Sequence, residues 1–278
     1  MKVICTNGVK SVMLDLVPAF EHTSGTKISI TWGSTNGLLK ELEGGAGGDL
    51  AILTAEAIDD LIRHGKVVAG SRVDLARSAI GVAVRKDAKR PDIGSPEALK
   101  RALIAAKSVA HSKTGLSGIY FPTVLARLGI ADAMKGKIVI PDPGTPVGEV
   151  VAKGDAEIGI QQISELLPVA GIEIVGPLPD ALQKITIFSA GVLTAAKEPS
   201  VAAALLKFVA AETPRLLKHT RAWSRPDVLP SSRLAGRWAN HLCCVMVSTS
   251  ASRPFLTSAS ARNSAGRMSC GLSIGPSP

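Results

Sequence analysis

Val3-Ile4-Cys5-Thr6-Asn7-Gly8-Val9 decides how this chain reads. A short apolar run leads into a small polar turn. Over residues 11–22 an apolar stripe then follows at helical spacing: Val12, Leu14, Leu16, Val17 and Phe20. A buried strand, a polar turn and an amphipathic helix make one βα unit. Thr23-Ser24-Gly25 closes the helix, because glycine takes the left-handed cap conformation at least cost. The pattern recurs at once. Residues 27–32 alternate as a strand, Gly33-Ser34-Thr35-Asn36 turns, and 37–43 are helical. Residues 49–53 are a strand and 55–64 a helix closed by Gly65. This βαβαβα rhythm predicts a mostly parallel sheet covered by helices.

The middle of the chain continues in the same style. Residues 79–85 read as a strand. Ser95-Pro96-Glu97 opens a helix to about residue 106, with serine as N-cap, proline in the first position and an acid in the first turn. Strands are expected at 108–111, 137–140, 157–161 and 172–175, and helices at 117–128, 147–153 and 163–167. A long strand over 184–195 is expected to cross between lobes, and the last helix lies at 201–211. Residues 1–80 and 190–220 are accordingly expected to form one lobe and 81–189 the other.

Residues 221–278 break the pattern. They hold twelve Ser, seven Arg, no Lys and a single acid, Asp227, without a sustained helical or strand period. This segment reads either as a disordered tail or as out-of-frame or fusion-derived sequence. It also carries most of the chain's net charge of +9, since residues 1–220 hold 25 basic and 22 acidic side chains. A body so nearly balanced excludes an electrostatic track for nucleic acid. Hydrophobic residues at 46% exclude wholesale disorder, and aromatics at 3% leave the core to Ala, Val, Leu and Ile. No apolar run is long enough for a transmembrane helix. Cys5 stands alone in the first 220 residues, so no disulfide is expected there. No secretory leader precedes the first strand, which suits either a cytoplasmic protein or a sequence lacking its leader.

Catalytic signatures are missing. The chain has no HExxH, GxSxG, P-loop or zinc-spaced Cys/His cluster, so no cofactor or metal is expected. Gly44-Gly45-Ala46-Gly47-Gly48 lies between a helix and a strand, the reverse of the order that cradles phosphate, and reads as a linker. More informative are four turns rich in small polar residues: Thr6-Asn7-Gly8-Val9, Gly33-Ser34-Thr35-Asn36-Gly37, Ser112-Lys113-Thr114-Gly115-Leu116-Ser117-Gly118 and Asp142-Pro143-Gly144-Thr145-Pro146-Val147. Each ends a strand and starts a helix, the edge where open α/β sheets bind ligands. Helix N-termini there offer unpaired N–H donors and a positive dipole end, which favour an anion.

These residues resemble a known family. Val3 to Val9, Gly33-Ser34-Thr35-Asn36, Gly48-Asp49-Leu50-Ala51-Ile52-Leu53 and Ser117-Gly118-Ile119-Tyr120 are similar to the molybdate-binding, type II periplasmic solute-binding proteins of ABC transporters. Ala156-Glu157-Ile158-Gly159-Ile160-Gln161-Gln162 resembles the strand that closes that family's site, and the match spans about residues 2–210. The resemblance implies an α/β fold of two lobes joined by two hinge strands, with the solute in a central cleft. It also implies a monomer exported to the periplasm, a small anionic ligand and a membrane permease as partner. Carried over residue by residue, the donors fall on Asn7 and Gly8, on Ser34 or Thr35, on the backbone at Ser117 and near Thr145, and on Gln162, where the family has Tyr. Without that Tyr, the ligand class widens from molybdate to another oxyanion or a small organic acid. Some relatives with this fold resemble aconitate isomerases, which bind a tricarboxylate between the lobes. A binding protein needs only neutral donors, whereas an isomerase needs a base within reach of a carbon acid. Glu149, His111 and Lys113 are the candidates for such a base.

Overall fold

In a computed structural model, the chain is described over residues 1–142, 144–217 and 223–224. The first sheet has the order β11 (Trp223–Ser224), β4 (Val73–Ser78), β10 (Thr186–Val192), β3 (Leu50–Thr54), β1 (Lys2–Thr6), β2 (Ser29–Gly33). β1 lies between β2 and β3 and is parallel to both. Both faces of β1 and β3 are covered, which is why they read as continuous apolar runs. Val3, Cys5, Leu50 and Ile52 point to one core, under α1 (Lys10–Ser24) and α9 (Pro199–Leu217), where the rings of Phe20 and Phe208 lie 5.6 Å apart. Ile4, Ala51 and Leu53 point to the other core, under α2 (Thr35–Glu43) and α3 (Ala55–Arg63). The buried stripe of α1 is Val12, Met13, Leu16, Val17 and Phe20, whereas Leu14, expected inside, faces solvent.

The second sheet has the order β7 (Ile138–Val139), β6 (Val109–His111), β8 (Ile158–Gln162), β5 (Ile80–Arg85), β9 (Ile172–Pro177). β6 runs parallel to β7 and β8. α4 (Pro96–Ala105), α5 (Leu116–Arg127) and α6 (Ala131–Met134) cover one face through Leu99, Leu103, Phe121, Val124 and Met134. α7 (Val147–Lys153) packs on the other through Val147, Val150 and Val151. The short α8 (Ile163–Leu166) continues directly from β8.

The expectation of mostly parallel sheets holds only for β1–β3 and β6–β8. β4 (Val73–Ser78), to which the sequence pattern assigns no element, pairs antiparallel with β10 (Thr186–Val192). β10 is also antiparallel to β3, and β5 (Ile80–Arg85) is antiparallel to β8 and to β9 (Ile172–Pro177). The cause is connectivity. β4 and β5 are separated only by Ala79, too short a link for a parallel crossover, so the chain continues into the second sheet instead. The long strand expected to cross near 184–195 is likewise corrected: β10 lies wholly in the first sheet, and the crossing is made by residues 178–185 before it. Of residues 221–278, Trp223–Ser224 forms β11, antiparallel to β4, where the sequence shows no strand period. The rest of that segment, with the disorder expected for it, lies outside the described residues.

Asp49 ties the first sheet together. It is buried, and its carboxylate accepts hydrogen bonds from the backbone N–H of Lys2 (2.7 Å), Lys197 (2.6 Å) and Glu198 (3.0 Å), joining the start of β1 to the turn that opens α9. Burial pushes its pKa up, but the three N–H donors outweigh that and hold it below the ordinary Asp value. We expect Asp49→Ala to cost about 2–4 kcal/mol in a denaturant titration, since three buried N–H groups lose a charged acceptor. Because the folded pKa is depressed, the carboxylate's contribution is complete above the unfolded value of about 4 and is lost as pH falls below it. The difference between wild type and variant should therefore narrow in acid.

Candidate functional site

β1, β2, β6 and β7 end in the four turns singled out above, and β8 ends beside the last two at Gln162, so the donors of each sheet gather at one edge. In the first sheet, Thr6 and Thr35 are both buried and their hydroxyls bond each other at 3.2 Å. Thr6 also accepts from the N–H of Gly8 (3.5 Å). This pairing ties the β1 turn, with its 3-10 segment Asn7–Val9, to the start of α2. Ser34 caps α2 by accepting from the N–H of Gly37 (3.2 Å), which leaves its own O–H free to donate. The half-buried Asn7 has no side-chain hydrogen bond among the described residues. Gly8 sits against the ring of Phe188 in β10, leaving no room for a Cβ.

In the second sheet, Ser117 is buried in the first turn of α5 and Thr145 is half-buried before α7. Pro143, in the same turn, lies outside the described residues. Gly118 lets α5 start directly over the preceding turn, since a Cβ there would overlap the carbonyl oxygen of Ser112. The hydroxyl of Ser112 is buried without a partner among the described residues. Gln162 ends β8 fully buried and donates through Nε2 to Thr186 Oγ1 (2.8 Å), while its Oε1 has no partner among the described residues. Exchanging the two amide atoms would let the Thr186 hydroxyl donate to Oε1 and would free an N–H donor.

The first N–H groups of α8 are not open to a ligand. That of Ile163 donates to the carbonyl of Ala79 (2.9 Å) and that of Ser164 to the hydroxyl of Ser78 (3.4 Å), both where the chain crosses between sheets. The structure thus brings Thr6, Asn7, Gly8, Ser34 and Thr35 together on one side. It sets Ser117, Thr145 and Gln162 along the edge of the other sheet. α8, next to Gln162, packs on the Asn7–Val9 segment and on α1.

The candidate bases fare differently. Glu149 and Lys113 are exposed. His111 is buried with its ring 5.3 Å from that of Phe121, and burial pushes its pKa down despite a bond to the Ser112 carbonyl. That carbonyl can only accept, so the proton of the neutral ring sits on Nδ1. The sequence reading missed Glu165. This half-buried residue of α8 has its pKa pushed up to about 7 by burial, against the bond that its carboxyl receives from Gln161 Nε2 (2.6 Å). The i, i+4 spacing of Gln161 and Glu165 was visible, but spacing alone says nothing of burial. Among the described residues, no group of His, Cys, Asp and Glu is placed to hold a metal ion, and no helix is long and apolar enough to cross a membrane.

Two α/β layers with helix-starting turns facing one another define a two-lobed binding protein of the type II periplasmic class. The bacterial extracellular solute-binding protein family matches residues 1–219, and the chain belongs to that family. It is 35% identical over 220 residues to an aconitate isomerase from Pseudomonas sp, covering 76% of this chain and 82% of that one. It is 28% identical over 204 residues to the molybdate-binding protein ModA of Azotobacter vinelandii, covering 71% and 79%. The solved periplasmic molybdate-binding protein of Azotobacter vinelandii superposes with a TM-score of 0.68 at 18% identity, over 81% of this chain and 99% of the other.

Gly118→Ala is expected to cost about 1–3 kcal/mol, read as a lower denaturation midpoint, because the α5 turn must shift. The pH dependence of stability should expose Glu165. Its folded pKa of about 7 lies above the 4.5 of a free side chain, so the folded state holds the extra proton between those values. Stability should fall as pH rises from about 4.5 to 7 and then level off. Glu165→Gln, which cannot ionise, should lose that slope in denaturant titrations at pH 5 and pH 8.

Proposed function

We propose that the chain binds a small organic polycarboxylate of the aconitate class between its two sheets, as a periplasmic, monomeric solute-binding protein that serves an ABC permease. The lobes in this reading are 1–80 with 190–220, and 81–189. The observation that carries it is the facing set of helix-starting turns, with the Ser112 hydroxyl and one end of the Gln162 amide buried and unpartnered among the described residues; that end is an N–H donor once the amide is exchanged so that Thr186 donates to its oxygen. Buried polar atoms are almost always satisfied in folded proteins, so orphans at a strand edge suit a ligand that completes them. In this assignment Asn7, Gly8, Ser34, Thr35, Ser117, Thr145 and Gln162 hold the anion through neutral side-chain and backbone donors. The identity of 35% to an aconitate isomerase supports a tricarboxylate over molybdate.

A second reading, isomerisation of the bound tricarboxylate, is favoured by Glu165. A carboxyl that ionises near neutrality can both take and return a proton. It would remove one from the methylene between a carboxylate and the double bond, and the delocalised anion would regain a proton at the far alkene carbon.

A thermal-shift panel of molybdate, tungstate, sulfate, phosphate, citrate and both aconitates tests the ligand. An anion at a hundredfold excess over its Kd should add about 2.7 kcal/mol, raising Tm by roughly 5–10 °C. We expect the tricarboxylates to do so, and a response to sugars or amino acids alone would overturn the anion reading. Proton NMR of the protein with cis-aconitate tests the second reading. Appearance of the trans isomer, abolished by Glu165→Gln with binding retained, is the expected result, and unchanged cis-aconitate refutes it.

A further inference from the structure

A cavity of about 370 Å³ opens between the two lobes, lined by Asn36, Leu39, Lys40 and Glu43 of α2 on one side and by Lys113, Thr114 and Ile119 on the other. It lies beside the first turns of α2 and α5, since Asn36 is the second residue of α2 and Thr114 shortly precedes α5. The two helix starts that supply neutral donors therefore open into one space bordered by a lysine from each lobe. Lys40 and Lys113 are both exposed, and neither forms an ion pair among the described residues.

Exposed lysines are ordinary on any surface. What sets this pair apart is that each comes from a different lobe and that both border a single cavity. Two ammonium groups brought towards each other repel, and Glu43 is the sole acid on that lining. Nothing in folding needs this arrangement, whereas an anion placed between them is attracted by both. The space also exceeds what one tetrahedral oxyanion fills, and Asn36 and Thr114 on its lining stand two and three residues along the chain from Ser34 and Ser117.

We propose that this opening is a carboxylate subsite, in which Lys40 and Lys113 together hold the distal carboxylate of an extended polycarboxylate whose other end lies at the turns of Ser34 and Ser117. The inference rests on the reading of the cleft as an anion site and specifies which anions it prefers. Each ammonium is a flexible point charge, so the subsite ranks ligands by charge and reach rather than by fine shape. Its attraction is screened by salt, because both cations are in contact with solvent. Glu43 opposes it.

The test uses tricarballylate, a saturated tricarboxylate that contains no double bond to isomerise, with sulfate as the compact comparison. Isothermal titration is run on wild type, Lys40→Met, Lys113→Met, the double variant, Lys113→Arg and Glu43→Gln, at 20 mM and 200 mM NaCl. We expect the double variant to bind tricarballylate about tenfold or more weakly at low salt, with little change towards sulfate. Lys113→Arg should keep most of the affinity, Glu43→Gln should raise it, and added salt should narrow the gap between wild type and the double variant. A double variant within twofold of wild type for tricarballylate overturns the subsite while leaving the anion site standing. Wild type that binds sulfate but not tricarballylate overturns the subsite as well. If wild type binds no anion at all, the reading of the cleft fails together with it. Both lysines are exposed, so far-UV circular dichroism of the variants should match wild type.

Discussion

The side-chain amide of Gln183 joins the two segments by which the chain passes between its sheets. Its Oε1 accepts from the N–H of Ile80 (2.9 Å), and its Nε2 donates to the carbonyls of Ile80 (2.9 Å) and Leu178 (3.3 Å). Ile80 begins the first crossing strand of the second sheet, and Gln183 lies on the return to the first. A backbone bond from Leu178 to Ile80 lies alongside (3.0 Å). One amide therefore pairs the outgoing and returning chain. With the crossings paired, the remaining contacts there have a fixed reference: Gln162 on Thr186, and Ser164 on Ser78. The relation of the two sheets, and so of every turn that faces the cleft, depends on this short polar junction.

That junction is polar for a reason. A cleft between lobes must not be filled by packing, so the elements near it bury hydroxyls and amides rather than methyl groups. The cost of burying them is offset where they bond one another, as Thr6 does with Thr35. It is not offset at the Ser112 hydroxyl, at Gln161 Oε1 or at Gln162 Oε1. Glu165 shows the same tension in its charge: burial favours its neutral form, and one amide donor only partly opposes that. The apolar cores lie under α1 and α9, under α2 and α3, and under α4 to α7, and the first reaches this edge through Val9 and through Phe188, whose ring packs on Gly8.

Asp49 illustrates how a recognisable motif can belong to the scaffold. It stands in the Gly48-Asp49-Leu50 segment, among the strongest signs of the family, and its carboxylate is consumed by three backbone donors of the first lobe. Gly48 beside it is hemmed in by Ile4 and Leu193. The segment keeps its form because β1, β3 and α9 meet there, not because it touches a ligand.

Much of this protein was legible in the chain itself. The polar turns after β1, β2 and β6, the cap at Ser95, and the left-handed glycines at 25 and 65 all depend on residues within a turn of one another, and local chemistry settles such features. The apolar runs of β1 and β3 likewise announced strands covered on both faces. Direction of pairing was not legible, because β4, β5 and β10 acquire theirs from partners far away in the sequence. Nor was the fate of individual polar side chains. Thr186 meets Gln162, Ser78 meets Ser164, and Glu165 becomes desolvated only when α8 is packed between the second sheet and the Asn7–Val9 segment. Hydrogen-bond satisfaction and desolvation are properties of an assembled neighbourhood, so only the tertiary structure decided which of the candidate residues were already occupied by partners within the fold and which were not.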